Sequence, residues 1–75
     1  MFAQNVRLPV AIETRTSKIE ARLKREGWVN TGGSKHDIYR HESRAGRIVV
    51  PRHREQSIGV ARGIAEVAGW LEEKQ

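Results

Sequence analysis

The chain reads as a small α+β domain, an antiparallel three-stranded sheet with two helices on one face in the order α-β-β-β-α, preceded by an N-terminal arm. Three observations predict it. Two segments, at 17–26 and 58–68, carry apolar residues at helical spacing. Three short extended runs lie between them. Breaks of hairpin length, Gly32-Gly33-Ser34 and Ser43-Arg44-Ala45-Gly46, separate those runs and favour an antiparallel meander.

Residues 1–15 form the arm. Val6, Leu8, Val10 and Ile12 alternate as in a strand, and Pro9 would confine such a strand to an edge. Two readings stand for it: a flexible extension, or a strand added to the sheet edge. The first helix opens with Ser17-Lys18-Ile19-Glu20, the spacing of a capping box in which serine takes an orphan amide and glutamate reaches back. Ile19 and Leu23 share one face, and Gly27 supplies a left-handed stop. The strands are expected over 28–31, 36–41 and 47–50, the last closed by Pro51. The second helix, 58–68, presents Val60, Ile64, Val67 and Leu71 as its buried stripe. Gly63 weakens it by about 1 kcal/mol relative to alanine and is read as a point of close approach to the sheet. Gly69 ends it, and Trp70 and Leu71 are expected to fold back onto the core.

With 75 residues the chain is one domain, 1–15 as arm and 16–75 as folded unit. A domain this small buries only about 60% of the surface its unfolded chain exposes, so a shallow surface site is expected rather than a walled pocket. There is no cysteine, which excludes a disulfide framework and a thiolate metal site and favours the cytoplasm. Gln4, Asn5, Arg7, Pro9 and Glu13 interrupt the first fifteen residues, which therefore do not read as a signal peptide. A net charge of +5 attracts polyanions and points to nucleic acid or an acidic protein as partner.

The residues Gly33-Ser34-Lys35-His36-Asp37-Ile38-Tyr39-Arg40-His41, then Gly46-Arg47, Val50-Pro51-Arg52-His53, Ile58-Gly59 and Ala68-Gly69, resemble in order and spacing the HicA toxins. The opening from Ser17 to Trp28 does so too, and the resemblance spans about 16 to 71. It implies a double-stranded-RNA-binding-like fold and a ribosome-independent mRNA endonuclease that stops growth. It also implies an antitoxin of the HicB type that covers the active site. The family's catalytic histidine, in a Gly-Ser-His context at the head of the second strand, falls on His36. Lys35 is an insertion relative to the commonest form. His36 is aligned rather than His41 because Tyr39 and Arg40-His41 then fall into place.

RNA carries its own nucleophile, the 2′-hydroxyl, so the resemblance implies no metal and no cofactor. Histidine suits the proton transfers because its usual pKa lies near working pH. Lys35, Arg40, Arg47, Arg52, His53 and Arg54 are the candidate RNA contacts, arginine being suited to phosphate by its bidentate fork. His53 reads either as a second acid/base or as a solvated loop residue, and His41 as a surface strand residue. No two histidines have the spacing of a helical metal site. Gly32-Gly33-Ser34 lacks the order of a phosphate-binding loop and reads as a turn. Trp28 and Trp70 abut helix ends and are assigned to the core rather than to base stacking. Two other functions compete. A non-catalytic double-stranded-RNA binder would carry a lysine cluster at the start of its last helix, where this chain has only Arg62. A DNA-binding regulator would need a recognition helix rich in polar side chains.

Overall fold

The structure, a computed structural model, describes residues 11–71. It contains α1 (Thr16–Arg25), β1 (Val29–Asn30), β2 (His36–His41), β3 (Arg44–Pro51) and α2 (Ile58–Ala68). The strands form one antiparallel sheet in the order β1-β2-β3. This is the expected α+β architecture of the double-stranded-RNA-binding type.

Side chains alternate across the strands, and all the fully buried ones point the same way. Tyr39 of β2 and Ile48 and Val50 of β3 meet Ile19 and Leu23 of α1, Trp28, and Ala61, Ile64 and Ala68 of α2 in one core. Both helices therefore cover the same face. The other face carries His36, Ile38 and Arg40 of β2 beside Val49 and Pro51 of β3, with Val29 of β1 paired to Arg40.

Both helices end in the same device. Gly27 and Gly69 adopt left-handed φ values of +96° and +83°. The Trp28 amide donates to the Leu23 carbonyl at 2.9 Å, and the Trp70 amide to Ala65 at 2.8 Å. These are the six-to-one bonds of Schellman motifs, and each turns a tryptophan back towards the core. Trp28 is buried and Trp70 packs half-buried against the cluster.

Four expectations are corrected. The start of α1 is not a capping box: its N-cap is Arg15, whose side chain makes no cap. The loop after β3 does that work instead. The Thr16 amide donates to the Arg54 carbonyl at 3.0 Å, and the Thr16 hydroxyl donates to the His53 carbonyl. Gln56, buried, donates from Nε2 to Thr16 Oγ1 and to the Pro51 carbonyl, both at 2.8 Å.

The second hairpin turn is Glu42-Ser43, so β3 begins at Arg44 and not at 47. Gly46 (φ +86°) lies inside the strand, where the register slips between the pairs Tyr39–Ile48 and His41–Arg44. The same left-handed backbone serves a bulge as readily as a turn.

In α2 the buried stripe is Ala61, Ile64, Ala65 and Ala68, with Val60 and Val67 about 40% exposed. Alanines let the helix sit close to the sheet, whereas a Cβ on Gly63 would meet nothing within 4 Å. The close approach assigned to that glycine belongs to the alanines.

Of the arm, Val6, Leu8, Val10 and Pro9 lie outside the described residues. Ile12 packs against the core, and Arg15 bridges Glu55, so this part of the arm joins the β3–α2 loop rather than the sheet edge. No described helix is long and apolar enough to cross a membrane.

Candidate active site

His36 is the first residue of β2, exposed, and paired in register with Pro51. By strand alternation its side chain lies on the face that neither helix covers. Lys35 precedes it, exposed at the loop's end, and Arg52-His53-Arg54 leaves Pro51 directly across the hairpin. Five of the predicted site residues are thus gathered at one end of the sheet. Arg40 and Arg47 are not among them. Each is four residues along its strand from His36 or Pro51, which at about 3.3 Å per residue is roughly 13 Å. They form a second, exposed cationic pair of positions near the bulge.

The loop into His36 is tightly folded. Thr31 N–H donates to the Ile38 carbonyl at 2.7 Å, and Gly32 N–H to Asn30 Oδ1 at 2.8 Å. A Cβ on Gly33 would lie 2.5 Å from the His36 carbonyl oxygen, so only glycine lets the loop pass so close. Arg52, just past the end of β3, closes it from across the hairpin. Its Nε and Nη2 reach Asp37 Oδ1 at 3.3 and 3.2 Å, Nη1 the Ser34 carbonyl at 3.3 Å and Nη2 the Gly33 carbonyl at 3.0 Å.

Behind His36, on the helix-covered side, Asp37 stands beside Glu20 of α1 and near the Tyr39 hydroxyl. Burial and then the neighbouring Asp37 carboxylate push the Glu20 carboxyl above its ordinary range. Burial acts the same way on Asp37 but is outweighed by Glu20, Asn30 and Arg52, which hold its carboxyl below the usual value. Tyr39, buried and facing two carboxyls, is pushed up to about 12. Glu20 Oε2 and the Tyr39 hydroxyl are both buried without a hydrogen-bond partner in the described structure. Sequence reasoning misses this group, because Glu20 stands at the spacing of a capping box that the β3–α2 loop replaces.

His53 is exposed. It lines a groove of about 730 Å³ with Arg15, Thr16, Ser17, Glu20, Arg54 and Glu55. His36 does not line that groove, so the groove and the candidate histidine are separate features. His41 has a structural task. Its Nε2 meets the Glu26 carbonyl at 3.0 Å, and its Nδ1 accepts from the Ser43 amide at 3.0 Å. A carbonyl only accepts, so Nε2 is the donor in this pair. His41 thus ties the end of α1 to the β2–β3 turn, half-buried rather than lying on the surface, with its ring edge-on to Trp28. Among the described residues no three His, Asp or Glu side chains gather as a metal-binding group.

Comparison with known proteins accords with this geometry. The family model of the HicA toxin of bacterial toxin-antitoxin systems matches residues 16–70, from the first residue of α1 to the tryptophan that follows α2. No curated protein matches the chain. A match that takes in both helices, all three strands and the loop around His36 identifies the chain as a member of the HicA toxin family, the toxin of a toxin–antitoxin system with an antitoxin as its partner.

Proposed function

We propose that the toxin is a ribosome-independent, metal-independent mRNA endoribonuclease with His36 as its catalytic residue, carried on residues 16–75 and acting in the cytoplasm. The observation that carries this reading is the position of His36. It is an exposed imidazole at the head of a strand, on the uncovered sheet face, with Lys35 beside it and a cationic segment across the hairpin.

An RNA strand laid on this face brings a 2′-hydroxyl to the imidazole. His36 takes that proton while the 2′-oxygen attacks the adjacent phosphorus. The bond to the 5′-oxygen breaks, leaving a 2′,3′-cyclic phosphate; the leaving oxygen takes a proton from water, and the imidazolium returns its proton to solvent. One positioned histidine contributes about 10²–10⁴-fold. Lys35 and Arg54 are the cations in reach of the charge that develops on phosphorus. His53 contacts the same stretch of RNA, and Arg40 and Arg47, about 13 Å along the strands, hold phosphates further along. Arg52 has four of its donor contacts committed within the protein and offers RNA only what remains. The antitoxin is of the HicB type and silences the toxin by covering this face.

The test is cleavage of RNA in EDTA by the wild type and by His36→Ala, with both folds checked by circular dichroism. Cleavage by the wild type alone is expected. Equal cleavage by both would move the catalytic role to His53. Binding of RNA without cleavage by either protein would replace this reading with a non-catalytic RNA-binding module.

A further inference from the structure

We infer that Arg52 is the positioning residue of the active site, a clamp that fixes the turn carrying His36 rather than a contact for RNA. The inference rests on the proposal that His36 is catalytic. Its basis is the distribution of the guanidinium's bonds. They fall on Gly33, Ser34 and Asp37, the residues that flank Lys35-His36 on both sides. No other side chain described here bonds to both arms of that turn.

Arginine is required by the geometry. A guanidinium has five N–H donors in a rigid plane, and four hydrogen bonds to three residues are drawn from it here. Lysine carries the same charge on one nitrogen and cannot span two carbonyls and a carboxylate in that plane. The Nε–Nη2 edge, which would grip a phosphate in bidentate fashion, is occupied by Asp37 Oδ1. Asp37 stands beside Glu20 and Asn30, and these with Arg52 hold its carboxyl below the ordinary range against the effect of burial. Asp37 and Arg52 together thus hold the Gly33-Ser34 carbonyls against the start of β2. The Arg52–Asp37 pair is partly solvent-exposed, with side-chain exposures of 48% and 20%, so its worth to global stability is small. Its effect is local order at His36.

Steady-state cleavage by wild type, Arg52→Lys and Arg52→Ala tests this. RNA affinity is measured in parallel on His36→Ala proteins with and without Arg52→Lys, and backbone amide exchange is followed from Ser34 to Asp37. The expected result is a kcat lower by about 10–100-fold in both variants, the cost of a histidine displaced by a fraction of an ångström to an ångström. KM and RNA affinity hold, and exchange at Lys35 and His36 becomes faster. Lysine does not rescue. Asp37→Ala gives a similar loss, and combining it with Arg52→Ala adds little, because the two act as one unit. Unchanged kcat with raised KM and weakened affinity would make Arg52 an RNA contact and overturn the inference; so would rescue by lysine. If His36→Ala cleaves as well as wild type, the reading of His36 fails on its own, and the exchange rates still decide whether the clamp exists.

Discussion

Trp70 Nε1 donates to Glu26 Oε1 at 2.8 Å, joining the residue that follows α2's terminal glycine to the residue that ends α1. Arg22 completes the group: its guanidinium carbon lies 4.3 Å from the Trp70 ring centroid, and its Nε meets Glu26 Oε2 at 2.9 Å. Two helices that share a thin core are thereby tied at their ends. Trp70→Phe keeps most of the ring but removes the donor to a charged acceptor, a loss of roughly 1–2 kcal/mol. In a domain of this size each kcal/mol lowers Tm by about 4–8 °C. Thermal unfolding followed by circular dichroism checks this, and an unchanged Tm would mean the bond contributes nothing.

The same bonds set an acid dependence. Burial opposes ionisation of Glu26, but the Trp70 and Arg22 hydrogen bonds and the charges of Arg22 and Arg25 outweigh it, so its pKa lies below the ordinary 4.5. The unfolded chain then binds the proton more readily than the folded one. Stability from this group is present above pH 4.5 and is lost as pH falls through the folded value. Glu26→Gln is expected to flatten that acid limb in urea titrations run across pH. A variant whose acid limb parallels the wild type's would refute the linkage.

Glu20 has the opposite sign. Its folded pKa is raised above 4.5, by burial first and Asp37 second. The folded state therefore holds the proton more tightly, and its contribution is fully present below pH 4.5 and lost as pH rises through the raised value. Glu20→Gln removes that loss. The variant should be the more stable protein at pH 7, with the advantage shrinking towards pH 4. Equal stability at pH 7 would count against a strained carboxyl at this position.

Tyr39 is fully buried, yet its hydroxyl has no partner in the described structure. Removing an unsatisfied hydroxyl costs little, since its desolvation is already uncompensated. Tyr39→Phe is expected to change stability by no more than about 0.5 kcal/mol in either direction, whereas a satisfied hydroxyl would cost about 1 kcal/mol. Chemical denaturation distinguishes the two.

Two glycines make a contrasting pair. Gly33→Ala drives a Cβ against the His36 carbonyl, and cleavage is expected to fall by about 10–100-fold as the histidine moves. Gly63→Ala faces open space on α2. It should raise stability by about 1 kcal/mol and leave cleavage untouched. A Gly33→Ala enzyme of full activity would show that the turn tolerates displacement.

What the sequence made legible was local. Gly27 and Gly69 end helices through backbone chemistry confined to a few neighbours, so both stops could be read directly. The place of His36 was legible from the glycine-serine turn before it and the strand after it. Gly46 was misplaced because a turn and a bulge ask the same left-handed backbone of glycine. The buried stripe of α2 was misjudged because valines outweigh alanines in hydrophobicity, although the alanines give the closer fit to the sheet. The support of the site was the least legible. Arg52 bonds two main-chain carbonyls, which have no side-chain signature, and it therefore read as one more cation in a basic segment.

The lock between Thr16 and Gln56, forty residues apart, makes the first turn of the first helix depend on a loop from the far end of the chain. The first helix is synthesised early, but the groups that satisfy its opening turn belong to the loop just before the last helix. At about 5–20 residues per second the wait is roughly 2–8 s. The beginning of the fold is thus finished by its far end, and a chain cut before residue 53 would lose the cap of α1 along with the whole of α2.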